Sequence, residues 1–150
     1  MSIALLKLPD KIIQFLKEEK VFSLATTDAD NNSWSCNCFY VFNPHDQVLI
    51  FKSEHNTIHI SNAMKNSNVS GTIYRTGKEI KDIIGVQFTG CLSLIDETSK
   101  AHYKDMYYKK LPIGKTIEAP FWKIKLSHIK MTLNAVNFGE KIIFDAKHPI

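Results

Sequence analysis

The sequence has few cysteines and none of the pairings that define a disulfide framework or a zinc site. Only three occur among its 150 residues, Cys36, Cys38 and Cys91. Cys36 and Cys38 flank one residue on a predicted strand, where a relaxed disulfide cannot form. No second CxxC or HxxH pair completes a metal-binding pattern, and the six histidines are scattered. We therefore expect free, buried thiols in a reducing cytoplasm and no metal site.

The sequence also lacks a long apolar run. A membrane-spanning helix needs about 20 consecutive apolar residues, and the apolar stretches here are only a few residues long. The apolar N-terminus is interrupted by Lys7, Pro9, Asp10 and Lys11 and is followed by no small-residue cleavage pattern. It is therefore not expected to be a signal peptide, and the protein is expected to be cytoplasmic and not bound to a membrane.

Runs of charge of one sign are missing as well. The formal net charge is +4, but lysines alternate with acidic residues along almost the whole chain. No basic helix and no stripe of alternating basic and aromatic residues of the nucleic-acid-binding type is present. We expect a solvated surface with one local anion site, and no nucleic acid as a partner.

The residues that are present predict a helix and three strands in the first third of the chain. Pro9 suits a first helical turn, and the apolar side chains of residues 12–16 share one face of a helix over 9–19. Alternating apolar residues predict strands over 21–27, 34–42 and 48–51. Short polar turns separate them, which is typical of an antiparallel meander.

The remaining two thirds predict further strands with inserted helices. A second helix begins near Thr57, and Gly71, in a strand over 69–76, suits a bend or a close backbone approach. A strand over 85–95 precedes a third helix, whose apolar stripe consists of Tyr103, Met106, Tyr107 and Leu111. A mobile surface loop is predicted over 112–120, a long strand over 121–133, and a short last strand over 141–144.

Together these elements predict a mainly β protein. No alternation of strand and helix runs through the chain, which disfavours a doubly wound parallel sheet. The predicted architecture is a six-stranded antiparallel split β-barrel with about three helices, in a single domain over 1–150.

One stretch, residues 47–68, has the pattern of an anion site. A strand ends at Lys52 and Ser53, a polar turn follows, and a helix begins with Thr57 or Asn56 as its cap and with His59 in its first turn. Free backbone N–H groups and the helix dipole favour a phosphate at such a position. Ser, Thr and Lys are also common there as helix caps and solvated surface, so the residues alone leave both interpretations open.

Five short motifs resemble one known superfamily. They are WSCNCFYVF, TIHISNAM, GVQFTGCLSLI, APFWKIKLSHIK and NFGEKIIF. In this order and spacing they resemble the pyridoxamine-phosphate-oxidase-like FMN-binding split barrels, and more closely a small bacterial subfamily of them. The resemblance extends over most of the chain, from Lys11 to Phe144.

The resemblance implies a homodimeric FMN-binding flavoprotein, in which the flavin passes electrons to or from a small substrate of unknown identity. In the superfamily a strand end and the following helix start hold the FMN phosphate, and a nearby strand lies along the flavin ring. By position, the cofactor-binding residues are Lys52, Ser53, Thr57 and His59 for the phosphate, Ser35, Asn37 and Cys38 for the ring, and Gln87. The resemblance assigns no catalytic residue.

Two departures from the superfamily pattern modify this expectation. The ring strand has Ser35, Asn37 and Tyr40 in place of arginines and a lysine, so pyridoxamine phosphate oxidase activity itself is not expected. His59 stands where the superfamily usually has a lysine or arginine.

The alternative is a non-catalytic split barrel that binds haem or another anionic ligand. The candidate axial ligands of a haem are His45, His55, His59, His102 and His128.

Overall fold

The computed structural model describes residues 6–133 and 139–146, and eight strands and three α-helices lie within them. The α-helices are α1 (Asp10–Glu18), α2 (Ile58–Lys65) and α3 (Lys100–Lys110). The strands are β1 (Val21–Thr27), β2 (Ser33–Phe39), β3 (Val41–Asn43), β4 (Val48–Lys52), β5 (Asn68–Arg75), β6 (Ile84–Leu94), β7 (Phe121–Leu133) and β8 (Glu140–Asp145). Two 3₁₀ helices span Ile80–Asp82 and Pro112–Thr116. The first two residues of the predicted motif NFGEKIIF lie outside the described residues.

A single residue, Tyr40, joins the two end strands of the sheet. The strand order is β2-β1-β5-β6-β7-β4-β3, and β8 pairs with β7 outside this path. β2 ends at Phe39 and β3 begins at Val41, yet they lie at opposite ends of the order. Because the two ends are one residue apart along the chain, the sheet must curl so that they approach each other at Tyr40. All its strand pairs are antiparallel, so the fold is a curled antiparallel half-barrel with three helices.

The same residue corrects two details of the predicted fold. The expected strand over 34–42 is broken at Tyr40, because the chain changes partner there: the Tyr40 backbone N–H still donates to Lys20 O over 2.8 Å, next to β1, whereas Val41 pairs with Ile50 of β4. This break contributes to a total of eight strands where about six were predicted. The predicted meander is also wrong in part: β1 pairs with β2 and β3 with β4, but β2 and β4 are not neighbours in the sheet.

The interior of the half-barrel is aromatic around Phe22. Its ring lies 5.7 Å from that of Tyr40, 5.3 Å from that of Phe51 and 6.1 Å from that of Phe88. Tyr40 is fully buried, and its hydroxyl donates to Leu16 O at the end of α1 over 2.8 Å. Burying several aromatic side chains supplies much of the stability of a domain of this size.

A second apolar cluster holds α3 against the outside of β3, β4 and β7. It contains Val41, Val48, Ile50, Ile95, Tyr103, Tyr107, Leu111 and Phe121. The predicted stripe on the third helix is thereby confirmed, since Met106 also packs against this cluster. The segment over 112–120, predicted as a mobile loop, instead begins with a 3₁₀ helix in which Gly114 is buried.

Replacing Tyr103 with Phe should lower the free energy of unfolding by about 1 kcal/mol at neutral pH. The Tyr103 hydroxyl donates to Asp46 Oδ2 over 2.7 Å, and this bond is the largest cause of the lowered pKa of Asp46. A carboxyl whose pKa is lower in the folded state contributes stability above its unfolded pKa. That contribution disappears as the pH falls through the folded pKa. The difference in free energy of unfolding between the unmodified protein and Tyr103→Phe, measured with urea, should therefore be constant down to about pH 5. Below about pH 4 it should shrink.

The control for this prediction is Tyr74→Phe, because Tyr74 is 65% exposed. It should leave the free energy of unfolding unchanged at every pH. A Tyr103→Phe difference that persists undiminished at the lowest pH would contradict the prediction.

No helix among the described residues combines the length and the apolarity that crossing a membrane requires.

Candidate functional site

The start of α2 is built by its capping residue, Thr57. Thr57 has extended backbone angles, and its hydroxyl accepts a hydrogen bond from the Ile60 backbone N–H over 3.3 Å. The same hydroxyl donates to Glu54 O over 3.0 Å and so closes the turn that leads from β4. The predicted cap is therefore confirmed. It is worth about 1 kcal/mol to the helix whether or not a ligand binds.

Ser53 and His59 form a buried pair beside this cap. Each is 9% exposed, and Ser53 Oγ lies 2.7 Å from His59 Nε2. Thr57 Oγ1 is 3.4 Å from the same nitrogen, so two hydroxyls and one imidazole converge at the helix start.

The backbone of Ser53 is fixed from the side of β7. The indole N–H of Trp122 donates to Ser53 O over 2.8 Å, and the Ser53 N–H donates to Pro120 O over 3.2 Å. Trp122 is 0% exposed, and its ring also meets the edge of the His55 ring at a centroid distance of 5.1 Å. A rigid, buried residue therefore sets where the Ser53 and His59 pair lies.

Two cysteines of β2 face the same group. Residues two apart on a strand point to the same side, and Cys36 and Cys38 are both half-buried, packed against the apolar core. Their sulfur atoms are 4.0 Å apart. The two sulfurs and a ring nitrogen of His59 all lie within 4.8 Å of one another.

The hydrogen bond between the two thiols shifts their pKa values in opposite directions. A hydrogen bond with Cys38, together with the nearby His59, lowers the pKa of Cys36 to about 5 against the opposing effect of burial. The same contact, with burial, raises the pKa of Cys38. Cys36 is therefore the more acidic thiol of the pair.

Lys52, predicted to face the phosphate, points away from this group. Its Nζ donates to Tyr108 Oη over 2.9 Å and to Gly114 O over 3.0 Å, and it also contacts Ile117 O. It lies near the faces of the Tyr108 and Phe121 rings, with 5.1 Å to each centroid. Lys52 thus ties the 112–120 segment to the barrel.

Three further predicted residues lie on the opposite, outer face of the sheet. Ser35 and Asn37 alternate with Cys36 and Cys38 along β2 and are exposed, and the Ser23 hydroxyl donates to Asn37 Oδ1 over 2.8 Å. Gln87 is exposed on β6, where its neighbours across the strands are Thr72 and Lys130. Because Gln87 is exposed, its amide needs no buried hydrogen-bond partner.

Of the eight predicted residues, the structure thus gathers four at the start of α2: Cys38, Ser53, Thr57 and His59. Sequence reasoning missed Cys36 as a member of this group, although its period-two spacing from Cys38 was a usable signal. It also missed the anchoring N–H of Trp122. No local pattern indicated that contact, because β7 and the turn before α2 are far apart along the chain.

Comparison with known proteins gives the family. No family model matches the chain. The chain is 30% identical over 145 residues to a UPF0306 protein of Yersinia pseudotuberculosis, and the match covers 95% of this chain and 98% of the relative. The chain belongs to the UPF0306 family.

Solved structures similar to this UPF0306 chain have the split-barrel fold. A haem-binding protein from Mycobacterium smegmatis has a TM-score of 0.76 at 11% identity; the match covers 95% of this chain and 60% of that protein. A FAD-binding protein from Mesorhizobium loti has a TM-score of 0.68 at 15% identity, with 86% of this chain and 97% of that protein covered. The expected split-barrel fold is confirmed.

Proposed function

We propose that this protein is a flavoprotein that binds FMN, with the phosphate at the start of α2. The observation that carries the proposal is that Ser53 Oγ and Thr57 Oγ1 both lie within 3.4 Å of His59 Nε2. Hydroxyl and imidazole groups at a helix N-terminus suit an anion, because the helix contributes backbone N–H groups and its dipole. The resemblance to the pyridoxamine-phosphate-oxidase-like proteins and the FAD-binding neighbour support a flavin as the ligand.

The ring of the flavin would lie at β2. β2 is an end strand of the sheet, so a planar ligand against its free edge can meet Cys38 on one face and Ser35 and Asn37 on the other. Gln87 lies on β6, three strands away in the sheet order, which is about 14 Å at about 4.8 Å per strand. A contact from Gln87 to the ring would therefore need a second copy of the chain, and a homodimer is part of the proposal.

Bound FMN would supply the redox chemistry, and the protein would bind and orient it. We propose an oxidoreductase role on a small substrate. The residues of the site identify neither the substrate nor a catalytic acid or base. The proposal is therefore tested by FMN binding and not by turnover.

The test compares FMN with riboflavin, which lacks the phosphate. Purified protein stripped of flavin should bind FMN more tightly than riboflavin by about ten-fold or more, since a charge-assisted hydrogen bond contributes about 1.5–3 kcal/mol. In a Thr57→Ala, His59→Ala double variant this preference should disappear, with the loss carried mainly by FMN. The readouts are the shifted visible flavin spectrum and the ligand-dependent rise in melting temperature.

A matched control is His55→Ala, which removes an exposed histidine from the same turn. It should keep the preference for FMN. Far-UV circular dichroism of the double variant checks that α2 has survived the loss of its cap. Equal affinity for FMN and riboflavin in the unmodified protein, or no binding of either at saturating concentration, would reject the proposal.

The second candidate is a non-catalytic haem-binding barrel, which the haem-binding neighbour favours. In this version an accessible histidine would be the axial ligand, and the exposed rings of His45 and His55 are better placed than His59, whose ring is buried. Adding haemin to the same flavin-free protein distinguishes the haem proposal from the flavin proposal. A Soret band that is lost in one His→Ala variant, with no FMN binding, would replace the flavin proposal.

A further inference from the structure

We infer that Cys36, Cys38 and His59 form a binding site for a thiophilic divalent ion, Zn²⁺. The two sulfurs and a ring nitrogen of His59 lie within 4.8 Å of one another, and they come from β2 and α2, two elements that pack together. The inference does not depend on the flavin proposal, although both use His59.

The spacing of these atoms is close to that of a tetrahedral zinc site. With Zn–S bonds of about 2.3 Å and Zn–N bonds of about 2.0–2.1 Å, the ligand atoms of such a site are about 3.5–3.8 Å apart. The Cys36 and Cys38 sulfurs are 4.0 Å apart, and no pair among the three atoms exceeds 4.8 Å. Side-chain shifts of about 1 Å or less would complete the geometry, without a change in the backbone.

The kinds of atoms also select the ion. Two sulfurs and one imidazole are soft to borderline ligands, which bind Zn²⁺ strongly and Mg²⁺ or Ca²⁺ poorly. Three protein ligands leave one tetrahedral position for water or a small ligand, which is the arrangement of an exchangeable zinc site and not of a closed structural one. The sulfur separation of 4.0 Å is about twice a disulfide bond length, so both sulfurs are available to an ion.

The surroundings hold the histidine in place for this role. Ser53 Oγ, 2.7 Å from His59 Nε2, limits rotation of the ring. Ser53 is itself fixed through its backbone by Trp122. Hydrogen-bonded partners of this kind orient metal-binding histidines and raise their affinity.

The test uses Co²⁺ as a spectroscopic substitute for Zn²⁺. Reduced, flavin-free and metal-free protein titrated with Co²⁺ under anaerobic conditions should develop a thiolate-to-cobalt charge-transfer band and the visible bands of a tetrahedral ion, saturating at one ion per chain. Zn²⁺ should then remove both bands. Cys36→Ser, Cys38→Ser and His59→Gln should each weaken Co²⁺ binding by about ten-fold or more, and either serine variant should reduce the charge-transfer intensity.

Two variants are matched controls. Cys91→Ser removes the exposed third cysteine, and His55→Gln removes a histidine from the turn before α2. Both should bind Co²⁺ as the unmodified protein does. Circular dichroism shows whether each site variant is folded. Because a half-buried Cys→Ser change is mild, at least one folded site variant is expected.

The inference would be overturned by an unmodified protein that shows no charge-transfer band, or by one whose band is unaffected in folded Cys36→Ser and Cys38→Ser variants. These readouts involve no flavin. A failure to bind Co²⁺ therefore leaves the FMN experiment untouched, and a failure to bind FMN leaves this one untouched.

Discussion

Replacing Trp122 with Ala should lower the free energy of unfolding by about 3–5 kcal/mol, the range found for large-to-small changes of buried aromatic residues. Trp122 is 0% exposed and belongs to the apolar core, so its removal leaves a cavity there. Its N–H also satisfies Ser53 O, and the loss of that bond adds about 1 kcal/mol. Urea unfolding followed by far-UV circular dichroism measures the change.

The other tryptophan of the chain is the matched control. Trp34 is 46% exposed on β2, and Trp34→Ala should cost no more than about 1 kcal/mol. If Trp122→Ala does not fold, Trp122→Phe keeps an aromatic ring and removes the N–H donor together with part of the indole. It should then cost about 1–3 kcal/mol and loosen the Ser53 and His59 pair. Equal costs for Trp122→Ala and Trp34→Ala would contradict the assigned role.

Replacing Gly71 with Ala should destabilise the protein by about 2–3 kcal/mol, although alanine usually stabilises a strand relative to glycine. A Cβ atom at Gly71 would lie 2.3 Å from Ser23 O and 2.3 Å from Cζ of Phe88. The Phe88 ring could rotate, but the Ser23 carbonyl belongs to the backbone of β1. The substitution must therefore push β1 and β5 apart.

Gly85→Ala is the control for this prediction, since Gly85 lies on β6, the neighbour of β5, and a Cβ there meets nothing within 4 Å. It should be neutral or stabilise the protein by up to about 1 kcal/mol. Each variant adds one methyl group to the unmodified protein. The difference between their denaturation midpoints therefore measures the destabilisation caused by the close approach at Gly71. A Gly71→Ala variant as stable as Gly85→Ala would show that β1 and β5 can separate at no cost.

The helices and long strands could be predicted from the sequence because their patterns are local. The alternation over 121–133 predicted β7 with the observed bounds, and the stripe on α3 was read correctly from its 3.6-residue period. The close backbone approach predicted for Gly71 is confirmed by the Ser23 carbonyl. The break at Tyr40 was not predicted, because Trp34 to Phe42 alternates without interruption and the break comes from tertiary closure of the barrel.

The candidate site was predictable in its helix cap and not in its side-chain directions. Thr57 follows from the preference of helix starts for hydroxyl side chains. Lys52 lies at the expected position in the sequence. Its amine, however, bonds to Tyr108 Oη, Gly114 O and Ile117 O and so points away from the start of α2. The meeting of Cys36 and Cys38 with His59 depends on how α2 packs over β2, which no spacing in the sequence records.

The one-residue connection at Tyr40 also bears on the order in which the protein folds. The β1–β2 and β3–β4 pairs join residues close in sequence, and such hairpins form quickly. Closing the barrel requires β4 to find β7, where Leu49 is opposite Ile124, and contacts of such long sequence separation are slow to form. Tyr40 connects the two end strands, and its ring contacts Phe22 while its hydroxyl donates to Leu16 O. We expect the complete burial of its ring to accompany barrel closure, so that the tyrosine would report on the completion of the fold.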